Sequence, residues 1–258
     1  MDPIAFQIGS LAIRWYGVMA ALGLMAGTVI LNSNRKFTGM TKDQCANALM
    51  VALFAGILGA RIFYVVQFFD HYRNNLFDII RIDQGGLVFY GGFILAFVSL
   101  IVYARIAKID IVRMFDGFAP AMAVAHACGR IGCFLNCCCY GKPTDLFIGV
   151  TYPAGSEAAK RYGEAALHPV QLYEAGENLL CAVFYFYLVR KAPRGVAASA
   201  YLITYGVLRF INEFARGDHK LIMDLFTPAQ LIGIFLIAGG SAMLAFFLRR
   251  REQKSADS

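Results

Sequence analysis

Between Gly129 and Gly141 the chain reads Gly-Arg-Ile-Gly-Cys-Phe-Leu-Asn-Cys-Cys-Cys-Tyr-Gly, setting Arg130, Asn136 and four cysteines at the end of an apolar segment. An arginine at bilayer depth costs about 2.5–3.5 kcal/mol on insertion scales, so Arg130 should face a partner or a wet cavity and is a functional candidate. At about 100° per residue, His126, Arg130, Cys133 and Cys137 fall on one helical stripe, with Asn136 nearby. Gln171, Glu174 and Asn178 share a face of a second segment, which His168-Pro169 opens, and Arg209, Asn212, Glu213 and Arg216 share a face of a third. Arg61 and Tyr64 sit inside a fourth. These charges can simply pair, Arg130 with Glu174 and Arg209 with Glu213, and lock a bundle. Interhelical polar contacts in membranes return only about 0.6–2 kcal/mol each, however, so four segments each donating a polar stripe fit a hydrated, net cationic cavity better. Its natural ligand is an anion with an apolar body, such as a phospholipid, because guanidinium matches phosphate in bidentate geometry.

The elements that position these residues are membrane helices. The 258 residues are 59% hydrophobic and 16% charged, against roughly 25% charged in soluble domains. Seven apolar segments, near 16–32, 48–69, 87–104, 114–135, 170–189, 197–215 and 228–248, predict an all-α polytopic protein whose helices surround the polar cavity. It reads as one integral membrane domain, 1–258. The fourth segment holds Asp116, Pro120, His126 and Arg130 and is expected to be broken or re-entrant. No basic leader precedes the first apolar segment, which is expected to stay as a helix. Loops 33–47, 105–113 and 190–196 and the tail after 248 carry thirteen Lys and Arg, whereas the N-terminus and loops 70–86, 136–169 and 216–227 carry eight. The N-terminus is therefore expected outside and the C-terminus in the cytoplasm. The net charge of +7 reads as topology and contact with anionic lipid rather than nucleic-acid binding. Segment 136–169 is expected to form a small outward-facing cap with a strand at 147–152, and 70–84 an interfacial helix.

Gly85-Gly86-Leu87-Val88-Phe89-Tyr90-Gly91-Gly92 flanks a tyrosine with paired glycines, which allow close backbone approach to a helix or a ligand. The cysteines support rival readings: a membrane thiol oxidoreductase, or a metal-binding protein using Cys133 and Cys137 to Cys139. The triplet fits poorly the Cys-x2–4-Cys spacing of structural zinc sites, so no metal or cofactor is expected; an outer-face disulfide is another option. A transporter for an anionic lipid would also suit a cationic cavity.

Six motifs, in order, resemble those of the bacterial prolipoprotein diacylglyceryl transferases: Ile13-Arg14-Trp15-Tyr16-Gly17; Gly59-Ala60-Arg61; Gly85-Gly86-Leu87 with Tyr90-Gly91-Gly92; Gly129-Arg130-Ile131-Gly132 with Asn136 and Gly141; His168-Pro169-Gln171-Leu172-Tyr173-Glu174; and Arg209-Phe210-Ile211-Asn212-Glu213-Phe214 with Arg216. The resemblance implies transfer of the diacylglyceryl group of phosphatidylglycerol to the lipobox cysteine of a preprolipoprotein signal peptide, in the bacterial inner membrane. It maps two essential arginines to Arg130 and Arg209 and points to Tyr16, Asn136, Gly141 and Glu213. With Arg61 these form the expected phosphatidylglycerol-binding set, supported by His168, Gln171, Glu174 and Arg216. Many members carry histidine where this chain has Tyr90, asparagine at Cys133 and glycine at Cys137. That histidine has been proposed as the base, which leaves Tyr90, His126 or the arginine field alone as alternatives here. His126 also reads as a packed helix residue, and His168 as a cap of the following helix.

Overall fold

The computed structural model describes residues 3–9, 11–73, 76–81, 85–218 and 225–256. A hairpin opens the chain, with β1 (Ile4–Ile8) antiparallel to β2 (Leu11–Arg14) and Phe6 opposite Ile13. Helices follow: α1 (Trp15–Ser33), α2 (Arg35–Thr38), α3 (Lys42–Gln67), α4 (Phe69–Tyr72), a 3-10 turn (Leu76–Ile80), α5 (Phe89–Ile106), α6 (Ile111–Leu135), α7 (Glu157–Tyr162), α8 (Val170–Lys191), α9 (Val196–Ala215) and α10 (Pro228–Ala256). Each predicted apolar segment coincides with a long helix. Five of them, α1, α3, α5, α6 and α10, are long and apolar enough to cross a membrane. The other two, α8 and α9, carry Glu174, Glu177, Arg209 and Glu213. The outer face of α8 is nonetheless apolar, exposing Leu180, Val183 and Tyr187.

The chain packs as two compact units, Met1–Thr38 with Phe115–Ser258, and Gly39–Met114. In the second, α3 starts on a capping box: Thr41 Oγ1 accepts from Gln44 N (3.1 Å) and Gln44 Oε1 from Thr41 N (2.9 Å). Helices α3 and α5 meet through glycine. A Cβ on Gly59 would strike the Gly91 carbonyl, and one on Gly92 would lie 2.7 Å from the Gly56 carbonyl oxygen. The glycines after Tyr90 therefore serve helix-to-helix approach. Where an interfacial helix is expected, Phe69–Tyr72 and Leu76–Ile80 form separate helical turns; 74–75 and 82–84 lie outside the described residues.

In the first unit, α6 runs unbroken for 25 residues through Pro120, correcting the expectation of a re-entrant element. Small buried neighbours, Ala119, Ala121 and Ala123, leave room for the proline ring, so packing outweighs the missing N–H. Ala119 and Ala123 join Ala182, Tyr185 and Val189 of α8 and Ala197 of α9 in one apolar core. Gly23 of α1 seats on Ala125 of α6, and Gly206 of α9 on Gly233 of α10. The cap is built around Cys137, Tyr140, Tyr152, Ala158 and Leu167. Its predicted strand is reduced to one bridge, Val150 with Leu167, because 146–149 turns back on itself, with Gly149 N bonded to Leu146 O.

Asp116, buried on α6, explains its own cost. Its Oδ2 accepts from Gly195 N (2.7 Å) and its Oδ1 from Ala198 N (2.9 Å), satisfying two of the donors that the start of α9 leaves open. Asp116→Ala should destabilise the protein by about 1–3 kcal/mol, read as a lower thermal unfolding midpoint in detergent; an unchanged midpoint would show that the cap is dispensable.

Candidate functional site

The three polar helical faces converge within the first unit on one carboxylate. Arg130, near the end of α6, places its Nε on Glu174 Oε2. Glu174, in the second turn of α8, offers its Oε1 to Arg209 Nη1 (3.4 Å) and Arg216 Nη1 (3.6 Å). Glu213, one turn after Arg209 on α9, takes Arg209 Nη2 at 3.0 Å and Arg216 Nε at 3.9 Å. Asp218 accepts Arg216 in a fork, at 3.1 and 2.8 Å. None of Arg130, Glu174, Arg209, Glu213 and Arg216 exposes more than 14% of its side chain. Three guanidiniums thus meet three carboxylates, where the helical stripes predict a net cation. The balancing charge, Asp218, lies past the end of α9, outside any periodic pattern.

The arginines differ in how fully they are committed. Arg216 uses Nε, Nη1 and Nη2 on carboxylates, and Arg209 uses both Nη groups. Arg130 is engaged through Nε, which leaves its Nη1–Nη2 edge without a hydrogen-bond or ion-pair partner among the described residues. That edge is the fork that suits an oxyanion.

Backbone pairing holds these elements in register. Gly141 N donates to His168 O (3.1 Å), His168 N to Lys142 O (3.0 Å), Lys142 N to Ala215 O (2.8 Å) and Gly217 N to Tyr140 O (3.1 Å). Segment 140–142 is therefore clamped between the entry to α8 and the exit of α9, with Gly141 bridged to Arg216. A Cβ at Gly141 would sit 2.5 Å from His168 O and 2.6 Å from its Cβ, so only glycine fits this position without displacing the backbone. Gln171 fastens the turn after α6, bonding Cys138 O (2.7 Å) and the Tyr152 hydroxyl (3.1 Å). Burial pushes the Tyr152 phenol up to about 12, so it stays a neutral donor.

Other candidates flank this set. His126 lies beside Tyr205 of α9, ring centroids 5.5 Å apart, and His168 Nδ1 meets the Tyr173 hydroxyl at 3.2 Å. Tyr16, on the first turn of α1, packs on Gly132. Asn136 is directed at sulfur, its Nδ2 donating to Cys138 Sγ at 3.7 Å. None of the seven cysteines is in a disulfide. Cys137 and Cys139 adopt φ of 55° and 62°, the left-handed region that glycine enters most easily. The neighbouring Cys133 and Cys138 thiols, then Arg216 and Arg130, hold the Cys139 thiol below the usual thiol range.

Tyr90 and Arg61 belong to the other unit. Tyr90 is half-exposed on the first turn of α5. Arg61 gives its guanidinium to five carbonyls, those of Asp78 (2.6 Å), Ile79 (2.8 Å), Gly85 (2.9 Å), Gly86 (3.0 Å) and Arg81 (3.1 Å). It is an anchor for the loop that leads to Tyr90. Sequence reasoning misses two acidic partners, Asp218 and Glu177. Glu177 takes the Asn212 amide at 2.6 Å, and its position three residues after Glu174 was the available signal.

The family model described as prolipoprotein diacylglyceryl transferase matches residues 3–246. The chain belongs to this family. Among curated relatives it is similar to the phosphatidylglycerol–prolipoprotein diacylglyceryl transferases of Clostridium tetani (36% identity over 93% of this chain and 95% of the relative) and Clostridium kluyveri (34%, over 90% and 91%). The protein of that name from Pseudoalteromonas translucida is 33% identical over 99% of this chain and 96% of its own length. Glu174 is the node of a diacylglyceryl transferase family member whose three arginines all lean on it. Glu174→Gln should cost about 3–5 kcal/mol, through loss of the charge that holds three guanidiniums, and should lower the thermal midpoint more than Glu157→Gln, an exposed pair with Lys160; equal effects would remove Glu174 from this role.

Proposed function

We propose that this chain transfers the diacylglyceryl group of phosphatidylglycerol to the thiol of a lipobox cysteine in a prolipoprotein, the first step of lipoprotein maturation. The thiol sulfur bonds to the glyceryl carbon as the carbon–oxygen bond to phosphate breaks. The bonding pair leaves on glycerol phosphate, and the thiol proton passes to a base. The observation that carries the reading is the uncommitted fork of Arg130, steadied through Nε by Glu174. As negative charge grows on the departing phosphate, a preplaced guanidinium shielded from water stabilises it most. Arg209 joins Arg130 at the phosphate, with Glu213 fixing its angle, and Arg216 braces both carboxylates.

The same reading places α8 and α9 across the membrane with the five more apolar helices, around a polar cavity opening to the outer leaflet, in the bacterial inner membrane. The Lys and Arg bias of the loops supports an outer N-terminus and a cytoplasmic C-terminus. Asn136, Tyr16 and Gly141 line the lipid side, and Arg61 acts by holding the 78–86 loop beneath Tyr90. His126, one turn from Arg130 on α6, is our choice of base over Tyr90. Family membership does not favour the thiol oxidoreductase and transporter readings.

Incubating the purified protein with phosphatidylglycerol and a lipobox peptide should add the diacylglyceryl mass to the peptide cysteine. Arg130→Lys and Arg209→Lys keep charge but lose the fork and should each lower turnover by about 100-fold or more; near-normal turnover in both would sink the assignment. For the base, His126→Gln should remove the acidic limb of the kcat/KM–pH profile while Tyr90→Phe retains it. The opposite pattern assigns Tyr90.

A further inference from the structure

Two cysteines of the triplet part from the third and join Cys133 in a set of their own. Cys133, on the last turn of α6, and Cys138 and Cys139, in the turn that follows, bring their Sγ atoms within 4.8 Å of one another. Cys137 goes elsewhere, into the aromatic core of the cap with Tyr140 and Tyr152. The left-handed φ values at Cys137 and Cys139 produce this sorting: they reverse the chain so that Cys138 and Cys139 fold back on the helix end, where Cys138 Sγ donates to Cys133 O at 3.5 Å. Non-glycine residues in that region cost about 1–3 kcal/mol each, so two within three residues mark a turn whose shape matters.

We infer that Cys133, Cys138 and Cys139 form a three-thiolate site for one thiophilic metal ion of the zinc or copper(I) class. Zinc–sulfur bonds of about 2.3 Å place tetrahedral ligands roughly 3.8 Å apart, so the sulfurs need close by no more than about 1 Å, within reach of side-chain rotation. Three sulfur donors and no carboxylate select a soft or borderline ion over magnesium or calcium. Each S–H gives its proton to solvent as its sulfur–metal bond forms. A divalent ion with three thiolates carries one net negative charge, and Arg130, whose Nη edge no carboxylate among the described residues takes, is the cation available to offset it. The Asn136 amide on Cys138 Sγ supplies the outer hydrogen bond that thiolate ligands commonly receive. The ion takes no part in the proposed transfer step, although Arg130 and Asn136 border both sites, and it does not make the protein an oxidoreductase.

The test uses the full chain, purified in detergent, reduced and stripped of metal. Titration with Cd2+ should produce thiolate-to-metal charge-transfer absorption saturating at one ion per chain, and Zn2+ should compete for the site only in large excess. Cys133→Ser, Cys138→Ser and Cys139→Ser should each weaken binding by more than the ~100-fold that loss of an outer hydrogen bond costs, whereas Cys128→Ser and Cys137→Ser should leave affinity within about threefold of the parent. Absence of the absorption in the unmodified chain overturns the inference without recourse to any variant. So does its persistence in the triple serine variant, with circular dichroism confirming that the variant is folded.

Discussion

Glu174 sits away from water with guanidiniums from α6, α9 and the α9 exit directed at it, and the rest of the site follows from the need to keep that carboxylate and those cations together. Burying such charges costs several kcal/mol per ion, which mutual attraction repays only in good geometry. The geometry comes from elements that would otherwise look unrelated. The alanine-rich middle of α6 lets α8 and α9 approach. Asp116 holds the start of α9, and the 140–142 clamp ties its exit to the entry of α8. A displacement of any one would leave a buried charge without its partner.

The graded commitment of the arginines separates scaffold from tool. Arg216 is consumed by Glu174, Glu213 and Asp218, and Arg61 by backbone carbonyls, so both spend their donors on protein. Arg130 alone among these four is anchored through one nitrogen and keeps its fork. Such asymmetry is what an anion site needs, since a guanidinium already saturated by carboxylates has little left for a phosphate, and one held by nothing would have no fixed direction. Charge balance within the cluster also matters. A neutral set can exist in an apolar bundle before substrate arrives, whereas three unpaired arginines would not.

The turn after α6 shows how a sequence departure can be absorbed without disturbing the core of the site. Gln171 binds the Cys138 carbonyl rather than its side chain, and Gly141 is confined by His168. Backbone interactions thus hold the turn without drawing on the side chains of Cys138 and Cys139.

Much of this was legible in one dimension. The seven long helices follow from runs of apolar residues, and the facing of Gln171, Glu174 and Asn178, or of Arg209, Glu213 and Arg216, follows from helical period alone, because a regular helix turns about 100° per residue. Membership of the family was visible in six short motifs. Other features needed the folded chain. Pro120 suggested a break that packing suppresses, and residues 147–152 suggested a strand that a turn replaces. The N-terminal hairpin was too short to register beside the helix that follows it. The identity of each partner was beyond reach, since a helical stripe says which way Arg130 and Arg216 point but not that one keeps its fork while the other surrenders it to Asp218. Periodicity is a property of one helix; pairing is decided where several meet.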